Sequence, residues 1–191
     1  MWWNVLLTFW SKRKLNNRSA TEVYQRLVQA SRGHFLFEVV GVPDNPQGRF
    51  ESLILHMFLL QRRLGAVESG GLLAQALMDR MSDDLDRSIR EMGVGDLRVG
   101  KNVKSLFKMV NQRFHLYEGS FDKDEQMAAA LEVVFSVGAQ THKSIEINLL
   151  NMYLASFAHK LNEYSDTDIV KTSFSFPVFQ KGDLSKNGVK I

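Results

Sequence analysis

The chain has 191 residues and a mass of 21.8 kDa, enough for one domain with a substantial core and too little for two independent enzyme modules. Hydrophobic residues make up 45%, charged residues 24%, and there are 3 prolines and no cysteine. Collagen-like, mucin-like and disordered chains are excluded, as are disulfides, thiolate catalysis, zinc fingers and iron–sulfur clusters.

The net charge of +3 is carried by the tails. Up to Arg18 there are four bases (Lys12, Arg13, Lys14, Arg18) and no acid, from Ser165 onward the balance is +1, and the stretch between is −2. A near-neutral middle argues against a broad phosphate-binding face, so DNA is not an expected partner.

Residues 1–10 are almost wholly apolar, with Trp2, Trp3, Phe9 and Trp10, and Lys12, Arg13 and Lys14 follow them. The order is wrong for a secretory signal, and the run is too short for a spanning helix. Three readings stand: an interfacial segment whose bases meet anionic lipid, one that packs on the domain or on a second copy, or simple disorder. The expected organisation is this segment over 1–17, a helical domain over 18–164 and an extended tail over 165–191.

From Arg18 to Tyr164 the pattern is a succession of amphipathic helices, and the fold class expected is an all-α bundle of about six or more helices with an irregular C-terminal arm. Val23, Tyr24, Leu27 and Val28 form the stripe of a first helix closed near Gly33. A short apolar piece over 35–40 leads to a turn at Gly41-Val-Pro-Asp-Asn-Pro46, where Pro46 suits a first helical position. Phe50, Leu53, Ile54, Met57, Phe58 and Leu64 then share one buried face, with Arg62 and Arg63 in the last turn.

A third helix is expected over about 72–92, with Leu73, Leu77, Met81, Leu85 and Ile89 four residues apart and Ala76, Ser88 and Met92 widening the stripe. Its outer face offers Asp83–Arg87 and Asp86–Arg90 as acid-before-base pairs. Gly93, Gly95 and Gly100 read as a break requiring positive φ or close backbone approach. Further helices are expected over 101–117, 123–137 and 144–162, the last with Ile145, Leu149, Met152, Tyr153 and Phe157 inward. Beyond Tyr164 the periodicity stops, and residues 173–179 alternate like an extended arm.

Enzyme chemistry finds little to stand on. The cluster Asp83-Asp84-Leu85-Asp86 is the one candidate for holding Mg²⁺ over a diphosphate, in a helical lipid- or isoprenoid-handling enzyme. Such enzymes use two facing Asp-rich motifs, whereas here there is one, with arginines three and four residues on, so an ion-paired face is favoured. The five histidines (His34, His56, His115, His142, His159) lack metal-ligand spacing, and His56 reads as a hydrogen-bonded core histidine. Gly93-Val-Gly95 follows a helix and lacks a third glycine, so it is a poor dinucleotide fingerprint. With no GxSxG and no P-loop, a binding protein without metal or cofactor is expected.

The string Met81-Ser-Asp-Asp-Leu-Asp-Arg-Ser-Ile-Arg-Glu-Met-Gly-Val-Gly-Asp-Leu-Arg-Val-Gly-Lys-Asn-Val-Lys104 closely resembles the hallmark segment of the ubiquinol-cytochrome c chaperone family. Gly41-Val-Pro-Asp44, Gly48-Arg-Phe-Glu51, Leu55-His56 and Arg62-Arg63-Leu64 fall where that family has its preceding motifs. The resemblance covers roughly Arg18 to Tyr164. It implies a non-enzymatic, α-helical assembly factor that binds newly made cytochrome b and helps build the ubiquinol-cytochrome c reductase, respiratory complex III. Mitochondrial relatives work with a small helical partner at the ribosomal tunnel exit. No long Arg- and Ser-rich transit segment precedes the helices here, so the chain reads as a bacterial relative at the cytoplasmic face of the inner membrane, the matrix being its place in a eukaryote.

On physical grounds, such a chaperone shields an apolar client helix in a groove between amphipathic helices, using adaptable Met and aromatic side chains. Asp84, Asp86, Arg87, Arg90, Glu91, Asp96, Lys101 and Lys104, with Arg49, Arg62 and Arg63, are the candidate client- or partner-binding charges. From Asp83 to Lys104 five acids balance five bases, which suits orientation better than bulk attraction. The alternative role for these charges is to fix the Gly-rich turn by salt bridges. A homodimeric scaffold without a client is a further expectation open at this point.

Overall fold

The structure, a computed structural model, describes residues 18–136, 145–180, 182–185 and 188–189. It is an all-α fold. Helix α1 (18–31) is followed by a π-helical turn over Phe35–Val40, then α2 (Pro46–Gly65), α3 (Gly71–Glu91), α4 (Asp96–Ser120), α5 (Asp124–Ser136), α6 (Ile147–Asn162) and the single-turn α7 (Asp166–Val170). A two-residue antiparallel pair, β1 (Leu184–Ser185) with β2 (Gly188–Val189), lies near the C-terminus.

Helix α2 is the centre, packed against α3, α4, α5 and α6. Its start is written in local chemistry: Asn45 Oδ1 accepts the Gly48 amide at 2.8 Å, and Pro46 occupies the first turn, where a missing N–H costs nothing. Gly48 is needed for close approach, since a Cβ there would lie 2.0 Å from the Pro43 carbonyl oxygen. Ile54, Met57, Phe58 and Leu64 are buried as the spacing predicts, whereas Phe50 and Leu53 are only half-buried. The apolar face of α2 therefore runs on past the core at its N-terminal end.

In α3 the four-step row Leu73, Leu77, Met81, Leu85 and Ile89 is buried. Met92 is 73% exposed because the helix stops at Glu91, so it is no part of the core stripe, and Ser88 is half-buried. The glycine-rich break is shorter than expected. Only Gly93 has positive φ (+77°), while Gly95 precedes α4 in extended backbone and Gly100 is helical. Helix α4 thus begins at Asp96 rather than Lys101, because Val99 and Val110 already face the interior. In α6 the buried row is Leu150, Tyr153, Leu154, Phe157 and Leu161, with Leu149 and Met152 on its half-buried flank.

Two polar pins cross the core. His56 donates from Nδ1 to the Ser52 carbonyl (2.7 Å) and accepts at Nε2 from the Tyr153 hydroxyl (2.7 Å), tying α2 to α6. A carbonyl can only accept, which fixes the tautomer. Burial pushes the imidazole down to about 4, the Ser52 bond opposing it, so the ring is neutral near pH 7. On the other side of α2, buried Glu51 accepts from Arg113 of α4 at 2.9 to 3.2 Å and from Gln47 at 3.1 Å.

Beyond Tyr164 the chain does not leave the body of the fold. Ser165 caps α7 by accepting the Asp168 amide, and Ile169 and Phe174 are core residues. The stretch 173–180 carries no helix or strand. Phe176 stacks on Phe157 and Phe179 meets Tyr153 edge-on at 4.7 Å. Arg26 of α1 holds the arm by donating to the carbonyls of Thr172 and Phe174.

Candidate functional site

Two concave surfaces stand out. The larger, about 990 Å³, lies between α1, the π-helical turn and the C-terminal arm, with Phe35, Tyr153, Phe176 and Phe179 in its wall. The second, about 630 Å³, is walled by α1, the start of α2, the end of α3 and the first half of α4. Its apolar lining is Val28, Phe50, Leu53, Leu85, Ile89, Met92, Leu106 and Met109, and its polar rim includes Arg32, Arg49, Asp84 and Asn102. Phe50 and Leu53 are the residues by which the α2 stripe overruns the core. The groove is an open concavity where apolar side chains of α1, α2, α3 and α4 face one another.

The charges singled out in the sequence separate into three groups. The first is structural. Arg90 reaches Asp86 at 2.6 Å and also pairs with Asp96, so one guanidinium bridges the end of α3 and the start of α4 across Gly93-Val-Gly95. Arg63, only 10% exposed, donates to the Leu161 and Tyr164 carbonyls and pairs with Asp166 at 2.8 Å. Arg62 pairs with Asp122 and Glu118 and lies 4.6 Å from the Phe121 ring centre. These three arginines join helix ends, and neither Arg62 nor Arg63 lines either groove.

The second group lines the groove: Asp84, which accepts from the Tyr24 hydroxyl at 3.0 Å, and Arg49, which pairs with Asp44 at 2.6 Å. Burial, then the Asp84 charge, pushes the Tyr24 phenol far up, so it stays a donor. The third group is exposed: Arg87, Glu91, Lys101 and Lys104. Asp83 pairs with Arg80, three residues before it, at 3.0 Å, rather than with Arg87.

The three carboxylates of the Asp cluster therefore turn to three different partners: Arg80, Tyr24 and Arg90. Among the described residues no three His, Cys, Asp or Glu side chains converge on a point that could hold a metal ion. His56 is the core histidine expected. Trp2, Trp3, Phe9, Trp10, Lys12, Arg13 and Lys14 lie outside the described residues.

The chain is thus an all-α domain with two open grooves among the described residues, the second drawing part of its wall from the segment 81–104. The model of the ubiquinol-cytochrome C chaperone family matches residues 38–176, and the chain belongs to that family. The chain is also similar to the solved structure titled "Crystal structure of the Cbp3 homolog from Brucella abortus", with 31% identity, a TM-score of 0.77, and coverage of 91% of this chain and 96% of that one. A search of curated proteins gives no match. The family match runs past Tyr164 into the arm, farther than the quoted motifs reach. It takes in most of the residues lining the second groove, whereas the larger groove is formed mostly by residues before 38 and after 176.

Proposed function

We propose that the protein is a chaperone that binds cytochrome b during assembly of the ubiquinol-cytochrome c reductase, and that the groove between α2, α3 and α4 receives an apolar client helix. The observation that carries this reading is the convergence of Phe50, Leu53, Leu85, Ile89, Leu106 and Met109 on one open groove inside the family-matched region. A transmembrane helix outside the bilayer exposes apolar side chains at i, i+3 and i+4, and a groove of about 630 Å³ accepts two or three of them. Met92 and Met109 adapt to different client side chains through their unbranched thioethers. Arg32, Arg49 and Asp84 at the rim orient the polar ends of the client.

Among the described residues no helix is long and apolar enough to cross a membrane. The cytoplasmic face of the inner membrane is the site of action that fits a client inserted from that side. The Trp-rich segment over 1–17 is proposed as a contact with that surface. A small helical partner or the ribosome would act beside the groove rather than in it.

The test is affinity purification from gently solubilised membranes, comparing wild type with Leu53→Asp and Leu106→Asp. Both residues line the groove and are only partly buried. Recovery of cytochrome b with wild type and its loss with both variants supports the reading, provided their circular dichroism is unchanged. Equal recovery with all three chains contradicts the groove, and recovery only of the chain itself favours a dimeric scaffold.

A further inference from the structure

One charged surface takes no part in the groove. The outward face of α4 carries Leu97, Lys101, Lys104 and Lys108 at steps of four, three and four residues, which stack them in one stripe about 17 Å long. Leu97 is fully exposed, and the three lysines are exposed residues. None of the three lysines is in an ion pair among the described residues. The nearest acid in sequence, Asp96, is already engaged by Arg90. Exposed Met92, across the turn, adds a second apolar side chain at the same end.

We infer that this face of α4 docks on an anionic membrane surface, with Leu97 and Met92 entering the headgroup layer and Lys101, Lys104 and Lys108 over acidic lipid. Charge complementarity selects the partner. Three unpaired bases with no interleaved acid suit a uniformly negative plane, and the fully exposed Leu gains from an acyl boundary. A nucleic acid would reward aromatic side chains between the bases, and the stripe has none among its exposed residues. The inference does not depend on the client reading, since no residue of the stripe except Met92 touches the groove. Were both true, docking would set the groove mouth beside the bilayer from which an apolar client helix comes.

The experiment is flotation of the full-length chain with vesicles of phosphatidylcholine alone and of phosphatidylcholine with about 30% phosphatidylglycerol. Each lysine near an anionic leaflet is worth about fivefold in partitioning, so K101Q/K104Q/K108Q should bind the anionic vesicles on the order of a hundredfold less. The melting temperature should change little, because the three side chains are exposed and in no ion pair among the described residues. A parallel variant, W2S/W3S/W10S, separates the N-terminal segment, and the lysine effect should persist in that background. Leu97→Ser should weaken binding further without changing the preference for anionic lipid. Unchanged flotation of the triple lysine variant overturns the inference. So does failure of the wild-type chain to float with anionic vesicles, or a lysine-dependent binding to single-stranded RNA with no vesicle binding.

Discussion

At the scale of single residues, the buried polar groups are the ones whose replacement should be most informative. Tyr153 donates the only hydrogen bond that His56 Nε2 receives among the described residues. Tyr153→Phe leaves that nitrogen buried and unpaired, and should cost about 1–3 kcal/mol in chemical denaturation at pH 7. His56 also makes stability depend on pH. Its folded pKa, about 4, lies below the ordinary imidazole value of 6.5, so the unfolded chain binds the proton first as pH falls. The stabilisation is complete above pH 6.5 and drains away toward pH 4, by about 3 kcal/mol in all. Denaturation across that range should show the slope in wild type and a shallower one in His56→Gln. The Glu51–Arg113 pair predicts an asymmetry. Glu51 is 1% exposed and Arg113 is 21% exposed, so an orphaned arginine turns toward water while an orphaned carboxylate cannot. Arg113→Met should therefore cost about 3 kcal/mol or more, and Glu51→Gln clearly less.

At the scale of elements, the turn between α3 and α4 is where the charges of the hallmark segment divide their labour. Arg90 spans the turn between Asp86 and Asp96, both on the surface, and exposed pairs contribute little to global stability. Arg90→Ala should leave the melting temperature nearly unchanged while raising amide hydrogen exchange at residues 91–98. Arg87→Ala, four residues from Asp83 but unpaired with it, should do neither. The long helices were legible in sequence because each has an apolar face repeated over several turns. Helix α7 was not, because five residues hold no period, although Ser165 followed by Asp168 is a cap signal that could have marked it. Three glycines hid the first turn of α4, where the steps from Val99 through Val103 to Val110 carry the core face across Gly100.

At the scale of the whole molecule, the candidate site was half legible. The hallmark string contains one wall of the groove, but the groove itself depends on Phe50 and Leu53 coming against Leu106 and Met109, more than fifty residues away. Nothing local in the sequence encodes that meeting. The same is true of Tyr24 with Asp84 and of Glu51 with Arg113, and of the arm whose Phe176 and Phe179 close over Phe157 and Tyr153. For Arg62 and Arg63 the sequence shows a charge and not what it touches, which is Asp122 and Glu118 for the first and Asp166 with two carbonyls for the second. Lys108, which continues the row of Lys101 and Lys104, lies just beyond the string that drew attention to those two.

The central claim is that the groove between α2, α3 and α4 holds an apolar helix of the client. The chain has no cysteine, so a single one placed at Met109 in the groove, or at Glu125 on the exposed face of α5, gives a unique crosslinking site. Each variant would be expressed in cells making cytochrome b and treated with a short thiol-to-amine or photoactivated crosslinker. The account predicts a cytochrome b adduct from Met109→Cys that disappears when Leu53→Asp is added, and none from Glu125→Cys. An adduct of equal yield from both positions, or from Glu125→Cys alone, would contradict it.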